Sequence, residues 1–244
     1  AENTKAFSPI DKYLVGEYFQ ALGVTNVVQN EAFWSDWTLK PDEIDGNGNG
    51  VADGWELYVM FGTNGVANAK AAIAAIRAED PERFIMSDAW GCGNCPAEGL
   101  HPMPYNVGES IHPYSPHPVT HFGAPFATWI PKMKECPPWP PKGAASGRQW
   151  FLDNYFACWK GVESEGCYLH LGEFGTYQKC PHATALAWTE DLLSIAKEKG
   201  LGWSMWNLVG GFGIVDSGRD DCVLEDFEGH KLDRAMLDLL IKYK

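Results

Sequence analysis

Basic residues are scarce in this chain: 19 Lys and Arg stand against 32 Asp and Glu in 244 residues, a formal net charge of -13. Such a surface repels phosphate backbones and anionic membranes over a Debye length of about 10 Å at 0.1 M salt, so neither nucleic acid nor a membrane is an expected partner. Long apolar runs are also missing. No stretch approaches the roughly 18 apolar residues of a membrane-crossing helix, and the opening AENTKAF does not read as a signal peptide. Cys92-Gly-Asn-Cys95 has no second pair at matching spacing, which excludes a zinc ribbon. Neither a GxGxxG nor a Walker loop stands at a strand end, which counts against nucleotide binding.

Aromatic and apolar residues, by contrast, are plentiful. The 45% hydrophobic content supports one sizeable core and a single compact unit. Eleven Trp, nine Tyr and twelve Phe fill such a core, and exposed rings of this kind can stack on sugar faces. The seven cysteines are scattered, so disulfides are expected rather than a metal cluster. Several bridges with one leftover thiol suit a secreted protein whose leader has been removed.

From about residue 69 the pattern alternates between helices and short apolar strands. AKAAIAAIRAED places Ala69, Ala72, Ile73 and Ile76 on one face, Pro81 stops it, and RFIMSDAW follows as a strand. ESIHPY is a second strand, and the Pro-rich stretch 113–142 is long enough to be a functional loop. A helix through WFLDNYFACWKGV leads to the strand in CYLHLGEFG. TALAWTEDLLSIAKEKG is helical, with lysines in its last turn and Gly200 at its stop, and GWSMWNLVG is the next strand. In HKLDRAMLDLLIKYK, Leu232, Met236, Leu239 and Leu240 recur at helical spacing. Strands separated by helices imply parallel pairing, in an open doubly wound sheet or a closed barrel.

A barrel places its chemistry at the carboxyl ends of its strands. Polar and aromatic groups fall there: Asp88 and Trp90 end one strand, His112 and Tyr114 the next, Glu173 the third, and Trp206 with Asn207 the fourth. Glu173 is singled out by its setting, a carboxylate at the end of an extended segment with glycines on both sides, Gly172-Glu173-Phe174-Gly175.

Taken in order, IRAEDPERFIM, IHPYSP followed by VTH, HLGEFG, GWSMWNLVGGFGIVDSGR and EDFEGHKLDRAMLDLL resemble family 5 of the glycoside hydrolases, the cellulase-like enzymes, over roughly residues 70–244. The resemblance implies a (β/α)8 TIM-barrel-like α/β fold and retaining hydrolysis of a β-linked polysaccharide. That chemistry needs a nucleophile and an acid/base carboxyl about 5 to 5.5 Å apart. On the family pattern Glu173 is the nucleophile, and its glycines would let the backbone turn sharply at the rim. His112 and Tyr114 match the family's His-x-Tyr, whose phenol can hold the nucleophile ionised. Trp206 would be the platform beneath the sugar, with Trp90, Asn30 and Asn207 as further substrate-binding residues.

The family's acid/base is the Glu of an Asn-Glu-Pro, and no such tripeptide occurs here. VTNVVQNEAFW supplies Asn30-Glu31 with Ala32 in place of Pro, making Glu31 the expected acid; WELYVMFG is the rival fourth strand, and in that placement the acid is lost. Only 29 residues precede Asn30, whereas three βα units need roughly 30 residues each. The barrel is therefore expected to be shortened or incomplete on its N-terminal side, unless FQALGVTNVV supplies a second unit and Glu31 is surrendered as acid. Exposed strand edges would then need cover, from a homo-oligomer or a rearranged sheet. A remnant that binds polysaccharide without cleaving it and a calcium-stabilised structural module are the alternatives to an enzyme.

Between the two candidate strands, at about residues 42–57, DGNGNGVADGWE reads as a calcium-loop insertion. Asp45, Asn47, Asn49, the carbonyl of Val51, Asp53 and Glu56 occupy loop positions 1, 3, 5, 7, 9 and 12, and Gly50 takes the sharp-turn position 6. Hard oxygen donors at this spacing suit a structural Ca2+. Adding chelator is expected to lower the melting temperature, because a ligand at about 100 times its Kd stabilises the fold by about 2.7 kcal/mol. An unchanged melting curve in EDTA would remove calcium from the account.

Overall fold

The computed structural model describes residues 63–97, 99–164 and 166–244. Asn30, Glu31 and the expected calcium ligands Asp45, Asn47, Asn49, Val51, Asp53 and Glu56 lie outside the described residues. Two compact units are distinguished. Among described residues the first comprises 63–85, 97 and 99–106, and the second 86–96 and 107–244.

In the first unit, helix α1 (Thr63–Glu79) carries the expected Ala-rich segment and ends before Pro81. Its Arg77 donates to the carbonyls of Tyr105 and Asn106, at 2.8 and 3.2 Å, and also to that of Arg83, which ties the helix end to two loops.

The second unit is built on a four-stranded sheet in the order β1 (Ile85–Asp88), β2 (Val107–Ile111), β3 (Leu169–Leu171), β4 (Gly202–Trp203). Sequence order equals spatial order, as in a barrel. β2 pairs with β3 in parallel, Glu109 opposite Leu169 and Ile111 opposite Leu171, and β3 pairs with β4 in parallel, Leu171 opposite Trp203. β2 is buried at every position but Ser110, as expected of a parallel strand covered on both faces. The protein thus has the α/β architecture of a TIM-type barrel, of which the described residues supply four successive strands.

Helices α2 (Gly147–Asn154) and α3 (His182–Lys199) pack on each other over this sheet. Phe151 and Phe156 meet Trp188, Leu192, Leu193 and Ile195 in one core with Ile111, Leu169 and Leu171. Ser146 caps α2 by accepting from the Gln149 N–H at 3.0 Å. Gly200 ends α3 in the left-handed conformation, the stop its position in the sequence predicts.

The expected helix through WFLDNYFACWKGV is broken. α2 ends at Asn154, a 3-10 turn covers Phe156–Trp159, and a helical turn follows over Lys160–Ser164. Across this break Tyr155, Phe156 and Trp159 all face the core, at 4%, 2% and 0% exposure. The last expected helix also starts late. A hairpin of β5 (Glu225–Phe227) and β6 (His230–Leu232) precedes α4 (Arg234–Lys242). Asp233 marks the boundary, because its carboxylate accepts from the Met236 N–H at 3.0 Å.

The expected disulfides are not formed: none of the seven cysteines is bridged to another. Cys92 and Cys95 share the turn after β1, the Cys136 and Cys180 side chains are in hydrogen-bond contact, and Cys180 is fully buried in the core. Among the described residues no helix is long and apolar enough to cross a membrane.

Asp233 is 1% exposed and its second oxygen lies 2.8 Å from His182 Nε2. Burial pushes this carboxyl up, but the hydrogen bonds from His182 and the Met236 N–H outweigh it, so the net shift is downward. A lowered carboxylate pKa contributes stability that is complete above the ordinary value of 3.8 and is lost as pH falls through the folded-state value. Asp233→Ala is therefore expected to cost about 1 to 3 kcal/mol near neutral pH and much less in strong acid, measured by urea unfolding at both pH values.

Candidate active site

Glu173 stands two residues beyond Leu171, the end of β3. The flanking glycines work by close approach rather than by a sharp turn, since neither has positive φ. A Cβ on Gly172 would lie 2.1 Å from Ser110 Oγ, and one on Gly175 would lie 2.5 Å from the Trp206 carbonyl oxygen. Ser110 of β2 and the segment that follows β4 therefore approach closely the two glycines that flank Glu173.

Because Ile111 and Leu171 are level, the residues after β2 emerge beside Glu173. Tyr114 Oη donates to Glu173 Oε2 at 3.1 Å, and His112 Nδ1 lies 4.0 Å from the same oxygen. Burial, then the charge and hydrogen bond of Glu173, push the Tyr114 phenol far above its ordinary value of 10.0, so it stays a proton donor at any working pH. The Glu173 side chain is 34% exposed, open enough to be reached. The backbone N–H of Trp206 donates to the Phe174 carbonyl at 2.9 Å, which places this half-exposed indole at the same end of the sheet.

Four of the expected residues thus share one sheet end: His112 and Tyr114 touch or face Glu173, and Trp206 adjoins it through Phe174. Asn207 follows across a cis peptide bond, with its side-chain Oδ1 buried. Trp90 opens a short turn, Trp90–Gly93, beyond β1 and is half-buried.

A ring cluster beyond Tyr114 was not legible residue by residue. His121 stacks edge-on with Tyr114 at 5.1 Å and with Phe212 at 5.2 Å, and Phe126 and Trp129 lie about it at 6.0 and 6.1 Å. The signal was present in VTH, but only the fold shows that the turn His117–Thr120 folds back on the Tyr114 ring. Thr120 secures that turn by donating to the Tyr114 carbonyl at 2.6 Å.

On the other side, Arg219 is buried and donates to the Cys180 carbonyl at 2.6 Å and to the Thr176 carbonyl and hydroxyl at 2.9 and 2.8 Å. It binds the GIVDSGR loop to the segment that leaves Glu173.

A family model described as Cellulase (glycosyl hydrolase family 5) matches residues 42–211. The chain belongs to glycoside hydrolase family 5. The matched span contains Trp90, His112, Tyr114, Glu173, Trp206 and Asn207 and begins after Asn30 and Glu31. Among solved structures, one titled as a glycoside hydrolase is 35% identical with a TM-score of 0.62, covering 74% of this chain and 55% of that one. The cellulose synthase subunit Z of Clostridioides difficile is 22% identical, with a TM-score of 0.57 and coverage of 72% and 55%. Thermotoga maritima Cel5A, solved with mannotriose, is 19% identical, with a TM-score of 0.57 and coverage of 72% and 53%. These last two share the fold alone. The family 5 chain spans about half the length of the structures it matches. No curated protein matches it.

Burial, reinforced by the neighbouring His117, lowers His121 to about 4. The ring cluster therefore holds a neutral imidazole at neutral pH. The unfolded chain takes up this proton near 6.5 and the native site does not, so the group weakens the fold as pH falls from about 6.5 towards 4. His121 is expected to stay neutral down to about pH 4, read from its ring signals in an NMR titration. A midpoint near 6.5 would place the ring in water.

Proposed function

We propose that this family 5 chain hydrolyses a β-linked polysaccharide of cellulose type with retention of configuration, using Glu173 as the nucleophile. The observation that carries this reading is the hydrogen bond from Tyr114 Oη to Glu173 Oε2, 3.1 Å long, at the carboxyl end of a barrel strand.

In this mechanism Glu173 attacks the anomeric carbon, the glycosidic C–O bond breaks, and a covalent glycosyl-enzyme forms. A second carboxyl protonates the leaving oxygen and then, as base, activates the water that releases the sugar. Glu31 is our proposal for that group, with Asn30 beside it on the substrate. The Tyr114 phenol donates to Glu173 Oε2 and so holds the carboxylate in one orientation for attack. Trp206, half-exposed beside this site, offers a face on which a pyranose ring can stack, with Trp90 and Asn207 further along the same rim. Secretion, a structural Ca2+ at Asp45–Glu56 and a homo-oligomer covering any open barrel edge belong to the same proposal.

Glu173→Gln is expected to abolish turnover of an aryl β-glucoside and of soluble β-glucan while binding persists. Unchanged turnover would remove Glu173 from the mechanism. Tyr114→Phe deletes a hydrogen bond to a charged group, so kcat/KM is expected to fall by about tenfold to a hundredfold. Cleavage of the aryl glycoside but not of the polysaccharide would show that the acid is missing, since an activated leaving group needs no proton.

A further inference from the structure

We propose that Asp88 is a positioning residue for this site, holding His112 as an imidazolium directed at Glu173, so that one cation stands between two carboxylates. This rests on the reading of Glu173 as nucleophile, and it assigns a role to the end of β1.

The imidazole has a fixed orientation. Its Nε2 lies 3.5 Å from Asp88 Oδ1 and 3.3 Å from Ser110 Oγ, and its Nδ1 lies 4.0 Å from Glu173 Oε2. The backbone N–H of His112 donates to the Gly93 carbonyl at 2.8 Å, and a Cβ on Gly93 would lie only 2.4 Å from His112 Cγ. The turn Trp90–Gly93 is therefore clamped against the ring, and Tyr155 Oη holds that turn by donating to the Gly93 carbonyl at 2.8 Å.

In the tautomer whose Nε2–H faces Asp88, a neutral ring turns its Nδ1 lone pair towards the carboxylate of Glu173. A second proton converts that opposition into attraction. The groups facing His112 are the Asp88 carboxylate from β1, the Glu173 carboxylate from β3, the Ser110 hydroxyl from β2, the neutral Tyr114 phenol beyond Glu173, and the Gly93 backbone from the turn. Both formal charges among them are negative.

The electrostatic balance agrees with the geometry. Burial lowers His112, but the hydrogen bond to Asp88 and the charges of Glu173 and Asp88 outweigh it and leave the ring above its ordinary 6.5. Asp88 is held below the ordinary carboxylate range chiefly by the same hydrogen bond, against the pull of burial. A raised imidazole pKa means that the cation is complete below the ordinary value and is lost as pH rises through the raised one. Above it, Glu173 loses its cationic neighbour.

Asp88→Asn keeps an acceptor oxygen and removes the charge, and Asp88→Glu keeps the charge. The His112 midpoint, followed by ring 1H–15N signals, is expected to fall by about one pH unit in Asp88→Asn and to stay near the wild-type value in Asp88→Glu. The alkaline limb of the kcat/KM profile on an aryl β-glucoside is expected to move down by the same interval. Asp88→Ser, also uncharged, provides the same readout if Asp88→Asn does not fold. An unmoved His112 midpoint in the uncharged variants overturns the proposal even where the enzyme is active. A wild type that turns over no glycoside overturns the reading of the site, while the NMR titration still decides the coupling of Asp88 to His112.

Discussion

The parallel register of β2 and β3 is the constraint on which the site depends. With Ile111 level with Leu171, the two strands stop together, and the segments that leave them, His112–Tyr114 and Gly172–Glu173, run side by side. A slip of one residue would turn Leu169 and Leu171 out of the core and carry Glu173 to the other face. Register is held by burial: Ile111, Leu169 and Leu171 are each at most 1% exposed. At about 25 cal/mol per Å2 of apolar surface, one exposed branched side chain costs about 1.5 to 3 kcal/mol, so a slip that exposes both leucines would take a large part of the margin of a typical domain.

Outside the sheet the rim is held by anchors from the helical core. Trp188, buried in α3, donates its indole N–H to the Ser115 carbonyl at 3.1 Å, immediately after Tyr114. The Tyr177 N–H donates to the Thr120 carbonyl at 2.6 Å, joining the loop after β3 to the turn that carries His121. Trp139, in the Pro-rich stretch, donates to Asp191 Oδ2 at 2.8 Å and packs against Trp150, Phe151 and Trp188. Much of the aromatic content visible in the composition is therefore spent on the core and its anchors. Phe126, Trp129 and Trp206 are among the rings that stay exposed outside it.

Strand order and the ends of α1 and α3 were legible because each is set by local chemistry: an apolar run, a proline stop, a left-handed glycine. The pairing of Tyr114 with Glu173 was legible as a family pattern, since 59 residues separate them and no local rule joins them. The break after Asn154 was not legible, because a helical period and a 3-10 turn place the same aromatic residues inward over so short a span. The glycines of GEFG were legible as necessary but for a different reason: contact with Ser110 and Trp206 forbids a Cβ, and that contact exists only once three strands are aligned. The hairpin 225–232 was hidden because Leu232 satisfies the helical spacing of α4 while belonging to β6. Disulfides were expected from cysteine number, yet number says nothing of the Cβ geometry a bridge requires.

The electrostatics of the site bear on the polymer proposed as its substrate. His117 and His121 are both pushed towards the neutral form by burial, so the ring cluster beside Tyr114 gains no positive charge from them at neutral pH. His112 is shifted the other way, upward, by the hydrogen bond to Asp88 and the charges of Glu173 and Asp88, which outweigh burial, and it faces those two carboxylates. A polyanionic sugar chain approaching a protein of charge -13 would meet repulsion without a cationic shelf at these histidines to offset it. An uncharged β-linked chain meets no such barrier, and the exposed indoles of Trp129 and Trp206 offer it apolar faces whose contribution does not depend on salt.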